Sequence, residues 1–496
     1  MGSLRFPCLA ILAALLLIAA APESRAPLRL VINQGEWLQF DGHNPRSLIT
    51  PQNVARLYVA WRTALPDPAD GSPVLVSAVV TKTRVRDLLI ANTMAGRLVA
   101  LDANSGIRVW QTPAPPGPRW TTSSPAVDPT HTYVFGYSLD GYVHRYDLKT
   151  GKEIIGPGWP ALITTKGDVE KGSSNISIAT ARNGRTYLYM TVGAYPDPGD
   201  DGDYQGHLVS VDLESGEQHV FNALCSDRDM HFTSRGDDTD CSRVQAGIWA
   251  RAGAVYDAET DRLFVTTGNG GYNAHQGGYD WGTSVVALRP DGTTDGGTPL
   301  DSYTPENFQQ LTDEDLDLSS TTIELLPTTK KNWPRLGVQS GKDGRLRLLD
   351  VSDLSGQGGP RHIGGELQIL DLPQGQYVLT QPTAWLDGAR RTWVFVANNH
   401  GTTAYQLRPN DDGEPQLVQR WANSIRGTTP IVVNGVLYLA GPHQLVALRA
   451  TTGSVLWQDD TIGDVHWQSP IVVHDTIYLE DNGGYVTAYS LPAIPR

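Results

Sequence analysis

Gly96-Arg97-Leu98-Val99-Ala100-Leu101-Asp102, followed by the turn Ser105-Gly106 and by Val109-Trp110, is the stretch that decides the fold. Its apolar and polar residues alternate with the period of a strand rather than a helix. The glycine before the strand and the Asp-x-x-Ser-Gly after it are hairpin chemistry, because tight turns need residues that accept a positive φ.

The same pattern recurs along the chain, and a recurring unit is read before anything else because it sets the architecture. Gly141 to Asp147 with Thr150-Gly151, and Gly206 to Asp212 with Ser215-Gly216, are full copies. Ser284 to Leu288 with Pro290-Asp291-Gly292, and Gly344 to Asp350, follow. Thr402 to Leu407 is a weaker sixth copy; Leu445 to Leu448 with Thr452-Gly453 and Leu456-Trp457 is the seventh, and Tyr485 to Tyr489 the eighth. Strand starts carry Ser72-Pro73, Ser124-Pro125, Thr429-Pro430 and Ser469-Pro470, where a proline costs the ladder no hydrogen bond that matters.

The eighth copy stops at Leu491 without its last strand, while Leu57 to Arg62 reads as a last strand without a blade. The expected fold is therefore all-β, an eight-bladed β-propeller over residues 27–496 whose ring is closed by an N-terminal strand. Closure removes the sheet edges that invite aggregation. Length alone suggests about three domains, but a closed ring is one. Trp61, Trp110 and Trp457, at strand ends, are expected to pack between blades.

Met1 to Arg5 is short and positively charged, Cys8 to Ala21 is an apolar run, and small residues follow. This reads as a signal peptide over residues 1–26, cleaved between about 20 and 26; the alternative, a membrane anchor, falls short of the ~20 apolar residues that span a bilayer. The mature protein is expected in the periplasm or outside the cell, and off the membrane once cleaved. In such an oxidising compartment Cys225 and Cys241 are expected to form a disulfide. There is no C-x-x-C-H, so no c-type haem is expected.

The chain has 53 acidic and 39 basic residues, a net charge of −14. That balance argues against nucleic acid and anionic membrane as partners. A monomer with a protein or small-molecule ligand at one propeller face is expected. Neither Gly-x-Ser-x-Gly nor His-Glu-x-x-His is present, so no common hydrolase motif is in place.

Trp37-x-x-x-Asp41-x-x-Asn44, then Ile49-Thr50-x-x-Asn53-Val54-x-x-Leu57-x-x-Ala60-Trp61, resembles the amino-terminal signature of quinoprotein (pyrroloquinoline quinone) alcohol dehydrogenases. Tyr256-Asp257 and Leu263-Phe264-Val265-Thr266-Thr267-Gly268-Asn269-Gly270 resemble their central stretch. Phe221 to Ser226, Ser302 to Pro305, Gly341 to Gly344 and His466 to Pro470 are similar to a narrower group of exported bacterial quinoprotein-like propellers.

The resemblance implies pyrroloquinoline quinone and Ca²⁺ in the central channel. The ion takes hard oxygen ligands and a carboxylate takes the substrate proton. It maps Asn269 onto a calcium ligand, or else Asn269 is a turn residue before Gly270-Gly271. It maps Lys342 onto the basic residue that contacts the quinone, or else Lys342 is a hairpin-turn lysine. It maps the catalytic carboxylate onto the run Asp313-Glu314-Asp315-Leu316-Asp317, with the register open among Asp313, Glu314, Asp315 and Asp317, or else the run is a polar entry loop to the fifth blade.

The chain also departs from the pattern. The calcium-binding Glu is replaced by Tyr195 in Val192-Gly193-Ala194-Tyr195. An acidic insertion follows, whose Asp200, Asp201 and Asp203 either hold Ca²⁺ in their own loop or are a solvated surface loop. The tryptophan beneath the quinone is displaced to Trp249, with Arg251 in its place, and the disulfide of adjacent cysteines over the quinone is absent. Two functions follow. A binding or scaffold propeller with a degenerate quinone site predicts that the mapped residues scatter, or that Arg251 and its neighbours fill the channel. A quinone- and calcium-dependent oxidoreductase of the alcohol or sugar class predicts that Asn269, Lys342 and one carboxylate converge at one mouth.

Overall fold

The computed structural model describes residues 35–40, 47–117, 119–195, 203–228 and 241–492; the expected signal segment, Asp41, Asn44, Asp200 and Asp201 lie outside them. Among the described residues the strands form eight antiparallel sheets, the blades of one propeller. The third strand of each is the repeat itself: Leu98–Asp102, Tyr142–Asp147, His207–Asp212, Val285–Leu288, Arg345–Asp350, Gly401–Pro409, Gln444–Arg449 and Tyr485–Ser490. Blade 3 alone has a broken inner strand, Glu170–Gly172 and then Ser177–Thr180, both paired with Thr186–Ala194. The outer strand of blade 8 is Tyr58–Ala64, antiparallel to Tyr485–Ser490, so hydrogen bonds close the ring.

The repeat's Asp, Gly and Trp have one joint explanation. In blade 1 the carboxylate of Asp102 accepts from Asn104 N and Ser105 Oγ, holding the turn. Gly106 follows at φ +68, and a Cβ there would lie 2.6 Å from the Trp61 ring of the neighbouring outer strand. Trp110 covers Gly151 and Trp421 covers Gly453 in the same way, at 2.5 and 2.7 Å. Each indole N–H donates to a carbonyl of the blade it covers, Ala103, Leu148 and Ala450 respectively. The glycine is thus required twice, by backbone conformation and by the ring lying on it. Trp457 differs, meeting Tyr489 edge-on at 5.3 Å.

Residues 35–40 run along the inner strands of blades 1 to 3. Trp37 exchanges backbone hydrogen bonds with Leu75, Leu38 O accepts from Val127 N, and Gln39 Oε1 accepts from Ile178 N. Further on, Ser47 and Ile49 are tied to His474 and Asn434, in the first hairpins of blades 8 and 7. Because strands alternate in direction, those first hairpins share one end of the channel. The loops between second and third strands, and the connections between blades, share the other. Every mapped site residue among the described ones belongs to that second end. A disulfide joins Cys225 and Cys241, Cα atoms 6.1 Å apart, within the connection from blade 3 to blade 4.

Candidate functional site at the channel mouth

Blades 4 and 5 bring one cluster together. Gly268 and Asn269 follow the second strand of blade 4, Arg262–Thr266, and Lys342 follows the second strand of blade 5, Leu336–Ser340. The connection between the two blades holds a short helix, Phe308–Asp313. Asp315 then takes φ +54, and this left-handed residue turns the chain so that Asp317 points inward. Gly268 has to be glycine, since a Cβ would sit 2.5 Å from Asp317 Oδ1.

Asn269 donates its backbone N–H to Asp317 Oδ1 at 3.0 Å and its side-chain amide to Asp315 Oδ1 at 2.8 Å. Lys342 Nζ lies 2.6 Å from Asp317 Oδ2 and 3.3 Å from Asp315 Oδ2. Burial pushes the Asp317 carboxyl above the ordinary range, against the pull of Lys342 and the Asn269 N–H. For Lys342, burial would lower the ammonium's pKa, but Asp317 and Asp315 outweigh it and raise it. The run of acids is thereby divided. Asp315 and Asp317 reach the cluster, whereas Asp313 and Glu314 are exposed and their side chains meet only Gln309 and Gln310 among the described residues.

Blades 1, 3 and 8 build a second cluster at the same mouth. Arg251 is buried and donates to Ser173 O at 3.2 Å, Asn175 Oδ1 at 3.3 Å and Asp70 O at 3.5 Å, with its guanidinium 5.9 Å over Trp467. Ser173 and Asn175 lie in the inner strand region of blade 3, Asp70 precedes blade 1 and Trp467 precedes blade 8. One side chain therefore spans the mouth. Burial lowers its pKa to about 10. Lys171 is buried nearby, 5.4 Å from the Tyr195 ring and 6.0 Å from Trp120, and burial together with Arg251 lowers it to about 8. The Asp70 carboxylate takes His466 Nδ1 at 2.9 Å and Trp467 N at 3.2 Å. Glu480, at the end of the second strand of blade 8, is fully buried with neither oxygen hydrogen-bonded among the described residues. Burial, then Asp481 and Asp70, pushes its carboxyl well up.

Trp249 lies flat against the backbone, its ring 2.6 Å from where a Cβ of Gly193 would stand and 2.7 Å from one at Gly247. Its indole N–H is buried with no acceptor among the described residues, and Tyr204 meets it edge-on. Asp203 faces Lys166 Nζ at 3.4 Å. Calcium wants six to eight oxygens. The Asn269 Oδ1 atom is buried and has no partner among the described residues, which suits a ligand oxygen. Asp317, however, is already met by Lys342, Tyr195 brings no carboxylate, and no group of three metal-binding side chains converges among the described residues. As arranged, these residues do not fit a calcium ion.

Lys171, Asp70 and Glu480 were not singled out from the sequence, though Glu480 carried a signal. Second strands end Ala91-Asn92, Ala397-Asn398 and Ala440-Gly441 in three blades, and Glu480-Asp481 in the eighth. A carboxylate standing where the repeat keeps alanine marks a buried exception.

Comparison with known proteins places this geometry. Residues 38–294 match the family described as glucose/ethanol/alcohol dehydrogenase, beta-propeller domain, and residues 365–492 match the one described as outer membrane protein assembly factor BamB. No curated protein matches the chain. Among solved structures, the quinohemoprotein alcohol dehydrogenase ADHIIG from Pseudomonas putida HK5 is similar with a TM-score of 0.62 at 14% identity, over 93% of this chain and 81% of that one. The quinohemoprotein alcohol dehydrogenase from Comamonas testosteroni gives 0.60 at 15%, over 93% and 81%. A europium-containing methanol dehydrogenase gives 0.60 at 16%, over 93% and 99%. At these identities the likeness is one of fold.

Proposed function

The chain belongs to the glucose/ethanol/alcohol dehydrogenase beta-propeller family, and from that premise we propose that it is a recognition propeller whose quinone site has been closed. The observation that carries this reading is Arg251, buried and bonded from blade 3 across to the residue before blade 1. A planar cofactor seated where Arg251 lies would have to displace its hydrogen bonds to three buried acceptors. The misfit of the calcium ligands supports the same reading. So does the match of residues 365–492 to a family named for an assembly factor, which is a binding role rather than a chemical one.

The second reading, an oxidoreductase, is favoured by the convergence of Asn269, Asp315, Asp317 and Lys342 and by the unpartnered Asn269 Oδ1. One titration separates them. The mature protein is titrated with pyrroloquinoline quinone, with and without Ca²⁺, by calorimetry, and then offered alcohols and sugars with a redox dye. The recognition reading expects no saturable heat and no dye reduction. Calcium-dependent binding that is lost in Asn269→Ala, with dye reduction, would replace it by the oxidoreductase.

A further inference from the structure

A groove of about 380 Å³ opens at the opposite end of the propeller from the mouth. It is walled by the first hairpins of blades 5 and 6 and by the outer strands of blade 6. Lys330, Arg390, Arg391, Arg408 and Arg420 line it, and no carboxylate does. Arg391 is answered by Asp387 at 2.7 Å. Lys330, Arg390, Arg408 and Arg420 are exposed and form no ion pair among the described residues.

That is unusual for this molecule. Its net charge is −14, and at several other blade turns an arginine is answered by an aspartate: Arg84 and Arg86 with Asp102, Arg185 with Asp212, Arg335 with Asp257. Four unanswered cations around one concavity repel one another, and a bound oxyanion relieves that repulsion. Guanidinium groups also match such groups with paired N–H donors. The wall adds a second kind of surface. Trp333 is half-buried and held in place by its N–H to Gly413 O at 2.9 Å, and three threonines line the groove beside it. A fixed aromatic face with hydroxyls and cations around it suits a ring with an apolar face and charged substituents.

We propose that this groove is a second binding site and that it takes an anionic saccharide. The site is independent of the channel chemistry and stands whichever function the mouth serves. The test is calorimetry of the full mature protein at about 50 mM and about 200 mM salt, the range in which multiple ionic contacts lose most of their affinity. The probes are a heparin tetrasaccharide for sulfate, a tetragalacturonate for carboxylate, and tripolyphosphate as an anion without a sugar.

One of the saccharides is expected to bind, more weakly at the higher salt. Arg408→Gln with Arg420→Gln should weaken it about tenfold or more with the melting temperature unchanged, and Trp333→Ala should weaken the saccharide but not tripolyphosphate. The proposal is overturned if neither saccharide binds at the lower salt or if binding survives the double substitution. It is equally overturned if tripolyphosphate binds as tightly as the saccharides and Trp333→Ala changes nothing, since that describes a bare anion patch.

Discussion

The two ends of this propeller treat positive charge in opposite ways. At the mouth, Arg251 is buried and Lys342 half-buried, and both are hydrogen-bonded to neighbouring elements, so their charges are committed within the fold. At the groove, Arg390, Arg408 and Arg420 are exposed and form no ion pair among the described residues. A buried charge that loses its partners is costly, while an exposed one is nearly free to change. The difference teaches that burial of a charge marks what the fold depends on, and that exposed, unanswered charge marks what remains available to a ligand.

The comparison breaks most readily at Arg251. Arg251→Met takes one donor each from Asp70 O, Ser173 O and Asn175 Oδ1, the last two keeping Thr122 Oγ1 and Ser124 N, and should lower stability by about 3 kcal/mol, read from the denaturant midpoint. Removing that charge should also let the Lys171 pKa rise from about 8, which the pH dependence of its chemical labelling reports. An unchanged or higher midpoint would mean that the channel closes without it.

The connection that carries Trp249 and Arg251 is tethered by Cys225–Cys241, a separation of 16 residues. Cys225→Ser with Cys241→Ser should cost up to about 3 kcal/mol by the loop-closure argument. A loss well below that, in the same denaturation experiment, would show that the mouth keeps its shape without the tether.

Glu480→Gln sharpens the comparison through pH. The folded-state pKa of Glu480 is raised, so its proton is held in the fold, and the stability it allows is full below about pH 4.5 and is lost as pH rises through the folded value. Wild type should therefore lose stability against the glutamine variant between acid and neutral pH. Parallel stability curves would mean that Glu480 ionises without penalty in the fold. The smallest effect belongs to the groove, where Arg408→Gln should change stability by no more than about 0.5 kcal/mol; a larger loss would give that arginine a structural role.

The ring was legible because its signals are local. Alternation, the Asp-x-x-Ser/Thr-Gly turn and the outer-strand tryptophan sit within one repeat, and Gly106, Gly151 and Gly453 show why they travel together. The closing strand was legible as a remainder, since Tyr58–Ala64 lacks a blade and blade 8 lacks a strand. The choice among Asp313, Glu314, Asp315 and Asp317 was not legible, because four acids in five residues differ only in which way a short helix and one left-handed residue turn them. The groove was not legible either. Its cations come from two strands and two hairpins between positions 330 and 420, and net charge averages them away.

By itself the sequence determined the number of blades, the way the ring closes and the disulfide, because each follows from residues near one another or from counting units. Only the tertiary structure decided which charges are buried together. Arg251 meets Asp70, Asn269 meets Asp315, and Arg390 shares a wall with Arg420 because the closed ring and its loops carry distant residues to one place. A charge's worth depends on the dielectric and the partners it finds there, and neither is written in its neighbours along the chain.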